Sequence, residues 1–152
     1  MNWEKVESTR YMFADCSELL EMPEMLRPDK FGNMTQTYEL KDMSGMFSGC
    51  SKMNNIDIGE FNTDQVWGMS SLFENCSSLT GIDLNGLNTK KVEDMSDMFS
   101  GCSALQMVDI SGIDTSSVSA INGMFADCTK LSRIYAASIN LKPTQHCLST
   151  IL

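Results

Sequence analysis

The chain has 152 residues, of which 42% are apolar and 20% charged, with 20 acidic side chains against 11 basic ones and a formal charge of −9. That length suits one compact domain or one short repeat array, and the apolar share is too high for a disordered chain. An acidic balance, with a sequence pI near 4.4, argues against a nucleic-acid partner, which requires clustered Lys and Arg; nor does any stretch reach the roughly 18 to 20 consecutive apolar residues of a membrane insertion.

At the N-terminus, MNWEKVESTR lacks the charged start and apolar run of a secretory signal. Cys16 follows no apolar segment, so it does not read as a lipid-attachment site. The landmarks that come next are repeated later: Asn2, Val6, Met12, Phe13, Cys16 and Leu19 match Asn88, Val92, Met98, Phe99, Cys102 and Leu105. Phe47, Phe73, Phe99 and Phe125 recur every 26 residues, and so do Cys50, Cys76, Cys102 and Cys128. Self-similarity at such a period marks an architecture in which each unit buries its apolar face against its neighbours. Cys16 and Cys50 are 34 residues apart, eight more than the period. The partial first repeat, 1–42, therefore carries an insertion at about 21–34. Pro23 and Pro28 lie within it and cannot donate ladder hydrogen bonds, so it reads as a loop bulging from one coil.

Repeats then start near residues 43, 69, 95 and 121. Leu79, Ile82, Leu84 and Leu87 have the L-x-x-L-x-L spacing of a leucine-rich repeat, which predicts a short parallel strand with Ile82 and Leu84 inward and Gly81, Asp83 and Asn85 outward. Val92, Met95, Met98, Phe99, Cys102 and Leu105 are spaced for a turn or so of α- or 3₁₀-helix. Ser44, Ser70, Ser96 and Asn122 stand before that turn as N-cap residues. The residue before each repeat cysteine is Asp15, Gly49, Asn75, Gly101 or Asp127, the three types that best tolerate a left-handed backbone. The pattern weakens after residue 138, and the tail 139–152, INLKPTQHCLSTIL in its last fourteen residues, matches no repeat position. It reads as a C-terminal cap or as the trace of a truncated or frameshifted gene. The whole is an α/β repeat: a leucine-rich-repeat-like right-handed solenoid of about five 26-residue coils over 1–138, with a short parallel sheet on one face and short helical turns on the other.

MF-x-x-C-S-x-L, a short I-D-[IL] strand and N-T-x-x-V together resemble the 26-residue repeat of bacterial surface lipoproteins, akin to the BspA-like leucine-rich-repeat surface proteins. The resemblance covers residues 2 to 138. It implies a secreted or surface-anchored protein engaged in adhesion or host contact, hence a binding module, although the export signal usual in that family is not seen here.

Stacked coils place Phe47, Phe73, Phe99 and Phe125 in one core ladder and Cys50, Cys76, Cys102 and Cys128 in another, about 4.8 Å per step. Buried reduced thiols are the simplest reading of the second ladder; neighbouring cysteines are also within disulfide range, and a metal would need converging Cys and His ligands. Methionine is abundant, but Met12, Met43, Met46, Met69, Met95, Met98 and Met124 all occupy core registers. Asp57, Asp83 and Asp109 repeat on the outward face of the strand. Such a column of like charges implies a shifted pKa, a bound cation or a basic partner, unless each carboxylate only fixes the turn beside its strand. In the next coil Tyr135 replaces the Asp, with Arg133 beside it, and Trp67 faces outward or half-packs against a neighbouring coil.

Catalysis finds no support. His146, the single histidine, lies next to Cys147 in the irregular tail, and no phosphate loop or zinc-protease motif is present. No cofactor is expected. The expected role is recognition of a protein or glycan, including one on a host cell, through Asn55, Asp57, Trp67, Asp83, Met107, Asp109, Arg133 and Tyr135. The competing roles are a structural spacer or a fragment without binding of its own. Open ends of so short an array also favour self-association.

Overall fold

A computed structural model of the chain describes residues 3–26, 37–59 and 61–136. Three short strands, β1 (Gly81–Asp83), β2 (Met107–Asp109) and β3 (Arg133–Tyr135), pair in parallel in the order β1-β2-β3. Gly81, Met107 and Arg133 share one rung, Ile82, Val108 and Ile134 the next, and Asp83, Asp109 and Tyr135 the third. The centre of each strand turns inward and its ends outward, as pleating requires: Ile82 and Val108 are buried and Ile134 half-buried, whereas Asp83, Met107, Arg133 and Tyr135 are exposed. The preceding unit contributes Asn55 to the same face by a single bridge from Glu21, so the sheet has three strands rather than one per coil. A second line of parallel bridges links Ser8, Asp42, Gly68, Asp94 and Ala120. The result is a repeat fold, stacked unit on unit.

The opposite half is not helical. The described 3₁₀ turns, Trp3–Lys5 and Glu24–Leu26, lie elsewhere, and the run from Met43 to Cys50 is a succession of turns. Each such run contains two left-handed residues four apart: Tyr11 and Asp15, Gly45 and Gly49, Ser71 and Asn75, Asp97 and Gly101, Gly123 and Asp127, all with φ between 51° and 74°. A right-handed helix cannot propagate through a backbone whose hand reverses that often. Alternate amides are instead released to the next unit. Met43, Gly45, Phe47 and Gly49 donate to the carbonyls of Gly68, Ser70, Leu72 and Glu74 at 2.7 to 3.1 Å, while Met46 and Cys50 close turns on Met43 and Phe47 at 3.1 Å. There is consequently no helix for Ser44 or Ser96 to cap; their own amides are held by the Oδ1 atoms of Asp42 and Asp94, each at 2.9 Å.

The core is a set of ladders. The rings of Phe13, Phe47, Phe73, Phe99 and Phe125 stack with centroids 5.5 to 6.1 Å apart and planes within 20° of each other. Beside them the thiols of Cys50, Cys76, Cys102 and Cys128 donate to the carbonyls of Phe13, Phe47, Phe73 and Phe99 at 3.1 to 3.3 Å. All four are free thiols, as is exposed Cys16, so the ladder is reduced rather than disulfide-bonded. Met12 departs from the core role of its register and is 38% exposed, because it lies in the first described unit with no described unit stacked beyond it. The inserted segment also departs from an outward loop as far as it is described: Met22 and Leu26 are buried in the core. The rest of the insertion and the tail 139–152, with His146 and Cys147, lie outside the described residues.

A buried threonine column ties the units at a third corner. The Thr63 hydroxyl donates to the Asn88 carbonyl at 3.0 Å and accepts the Asn88 amide at 2.9 Å, and Thr89 does the same for Asp114 at 3.0 and 2.8 Å.

Candidate recognition face

The outward rungs of the sheet enclose an open depression of about 590 Å³. Asn55, Asp57, Asp83, Met107, Asp109 and Tyr135 line it, over a floor that includes Gly81 and Ile82. Its shape comes from absent side chains. Gly81 occupies the register of Met107 and Arg133 but projects nothing, so space opens beside Met107. At a neighbouring bend Gly59 and Gly86 approach so closely that a Cβ on Gly86 would stand 2.7 Å from the Gly59 Cα. Gly59 and Gly86 also line the depression. Gly59 and Gly86 were not singled out in the sequence; the signal available was the glycine that follows each predicted strand by a few residues, Gly59, Gly86 and Gly112.

Around this floor two kinds of chemistry meet. Met107 and Tyr135 offer apolar surface, 44% and 47% exposed respectively. Asp57, Asp83 and Asp109 each use Oδ1 to accept the amide two residues on, from Gly59 at 3.1 Å, Asn85 at 2.8 Å and Ser111 at 2.9 Å. Fixing the turn is thus one role of the carboxylate column. Asp109 accepts the Ser111 hydroxyl as well, at 2.6 Å, and these bonds, the hydroxyl's first, hold its carboxyl below the usual carboxylate range. The turn bonds of each carboxylate all fall on Oδ1. Among the described residues no three His, Cys, Asp or Glu side chains converge as a metal site.

Arg133 stands on β3 in register with Met107 but does not line the depression. Trp67 is elsewhere. Its amide bonds the Lys41 carbonyl at 2.9 Å, its carbonyl receives the Glu93 amide at 2.8 Å, and its ring, 44% exposed, stands beside Gly68 in the second line of bridges, away from the sheet. Six of the eight outward residues singled out in the sequence therefore surround one depression, with Arg133 beside them and Trp67 apart.

Residues 31–138 match the family described as Mycoplasma protein of unknown function, DUF285. Among solved structures, a leucine-rich cell surface protein from Faecalibacterium prausnitzii A2-165 is similar at 20% identity with a TM-score of 0.47, over 80% of this chain and 32% of that one. No curated protein matches.

Proposed function

The chain belongs to the DUF285 family, and from its own geometry we propose that it is a non-enzymatic recognition module whose sheet face binds a macromolecule. One observation carries this reading: a depression that joins exposed Met107 and Tyr135 to the carboxylates of Asp57, Asp83 and Asp109. Apolar surface for contact area and polar groups for orientation are what a recognition site needs. The finer architecture in this reading is a right-handed leucine-rich-repeat-type solenoid of about five coils, which holds the face rigid. The resemblance of the repeat to those of bacterial surface proteins supports a place outside the cell and a protein or glycan partner there.

The test is binding of the purified chain to a panel of extracellular-matrix proteins and glycans. It is run beside alanine substitutions at Asn55, Asp57, Asp83, Met107, Asp109, Arg133 and Tyr135. The expected outcome is specific binding that falls at least about tenfold, some 1.4 kcal/mol, in the variants lining the depression, with the thermal transition retained. Binding untouched by all seven would sink the face. A blank across the panel would favour a spacer whose repeats only display other parts of a larger protein.

A further inference from the structure

The depression has an apolar wall and an anionic rim but no cation of its own among its lining residues. Met107 and Tyr135 leave close to half of their surface in water, which suits the aliphatic stem of a long side chain and the planar group at its end. On the same rung as Tyr135, Asp83 and Asp109 are paired on adjacent strands, so their carboxylates stand about one strand spacing, 4.8 Å, apart. Oδ1 of each is taken up by its own turn, and neither carboxylate forms an ion pair with a described residue.

We infer that the sheet face docks an arginine-bearing segment of a protein partner, with the guanidinium bridging the outer carboxylate oxygens of Asp83 and Asp109 and its stem lying along Met107 and Tyr135. The inference rests on the sheet face being the recognition surface. Charge complementarity selects the occupant. The whole chain carries −9, which draws cationic segments toward it, and the rim concentrates acceptors where an incoming donor would be held. Arginine fits better than lysine for two reasons. Its planar fork presents N–H groups in two directions, so one side chain can serve two carboxylates, whereas an ammonium is a point charge. Its flat face also stacks on a tyrosine ring. A neutral glycan would use the acceptors and the ring but would leave adjacent carboxylates uncompensated. Exposed Arg133, at the β3 edge of the face, repels a second cation and orders the partner so that its arginine enters over β1 and β2.

The experiment uses a blocked nonapeptide with arginine at alternate positions, titrated into the full chain at low and physiological salt, beside peptides with citrulline or lysine in its place. Asp57→Asn, Asp83→Asn and Asp109→Asn keep the Oδ1 acceptor that closes each turn, so folding is preserved while charge is removed. The expected result is binding of the arginine peptide, at least about tenfold weaker for lysine and lost with citrulline. Asp83→Asn and Asp109→Asn should each weaken it about tenfold, and Tyr135→Ala should weaken it for arginine more than for lysine. A control that removes three charges elsewhere, Glu24→Gln, Glu39→Gln and Glu93→Gln, should leave it nearly unchanged. Equal loss in the control and in the triple Asp variant, or equal binding of the citrulline peptide, overturns the inference. Panel binding that the face variants abolish while the arginine peptide stays inert also overturns it but leaves the recognition face standing. No binding of either kind removes both.

Discussion

The thiol of Cys76 illustrates how much one repeated residue carries. It is fully buried, donates to the Phe47 carbonyl and lies beside the thiol of the preceding unit. Burial, with the neighbouring thiol adding to it, pushes its pKa up to about 12 and that of Cys50 up to about 11; burial, with the Asp127 carboxylate adding to it, pushes Cys128 up to about 11, and Cys102 is raised for the same reasons as Cys76. Below the unfolded thiol's ordinary pKa of about 8.5 the thiols are neutral in both folded and unfolded chains, so their full contribution to stability is present. Above that, the unfolded chain releases protons that the folded one retains, and stability falls until the folded thiols themselves ionise near pH 11 to 12. Each such thiol adds up to about 1.4 kcal/mol per pH unit to the slope. Urea unfolding at pH 8, 9.5 and 10.5 should show this decline, and Cys76→Ala should make it shallower whatever it does to stability at pH 8. A slope unchanged in Cys76→Ala would mean that this thiol ionises as freely folded as unfolded.

At the scale of the element, the turn run is governed by which side chains can lie over which backbones. Asn75 Oδ1 occupies the place where a Cβ on Gly101 would project, and Gly101 itself has φ +73°. Gly101→Ala should therefore cost about 2 to 3 kcal/mol, of which about 1 to 2 kcal/mol is the left-handed backbone term. Adding Asn75→Gly should recover the steric part and no more. A double-mutant cycle by urea denaturation measures this coupling; a cycle that closes at zero would show that the neighbouring unit does not impose the glycine. The same geometry explains what was legible. Asp15, Gly49, Asn75, Gly101 and Asp127 signal a left-handed backbone by type, but the second left-handed column, Tyr11, Gly45, Ser71, Asp97 and Gly123, mixes residues that carry no common signal. Without it, the spacing of Met95, Met98, Phe99 and Cys102 reads as helix. Strand parity was visible in Ile82 and Val108 because alternation is local. The clamp from Thr63 to Asn88 was not, since its partner lies 25 residues away. Outward Asp83, Met107 and Tyr135 could be read from parity, whereas the depression among them depends on the side chain that Gly81 lacks.

At the scale of the molecule, a stack in which each unit touches only its neighbours distributes stability by position. Phe73 is sandwiched, 6.1 Å from Phe47 and 5.5 Å from Phe99, and is fully buried; among the described residues Phe13 has one stacked partner, at 5.7 Å, and is half-buried. The first unit has a further weakness in Thr9, which occupies the register of Met43, Met69 and Met95 with its hydroxyl buried and unpartnered among the described residues, at a cost of about 1 to 3 kcal/mol. That end should therefore open first, in sub-global steps. Phe13→Leu, which gives up one ring pair, should cost about 1 kcal/mol and speed exchange at the amides of Thr9, Tyr11 and Phe13, which bond Asp42, Ser44 and Met46, while leaving the Phe73 amide as slow as before. Phe73→Leu gives up two ring pairs in the middle, so it should cost about twice as much and speed exchange at the amides of Phe47, Phe73 and Phe99 together. Native-state hydrogen exchange on the two variants distinguishes the outcomes. If Phe13→Leu accelerates the Phe73 amide as much as the Tyr11 amide, the chain opens as one cooperative block. The rigid face over β1 and β2 would then depend on its farthest unit as much as on its nearest.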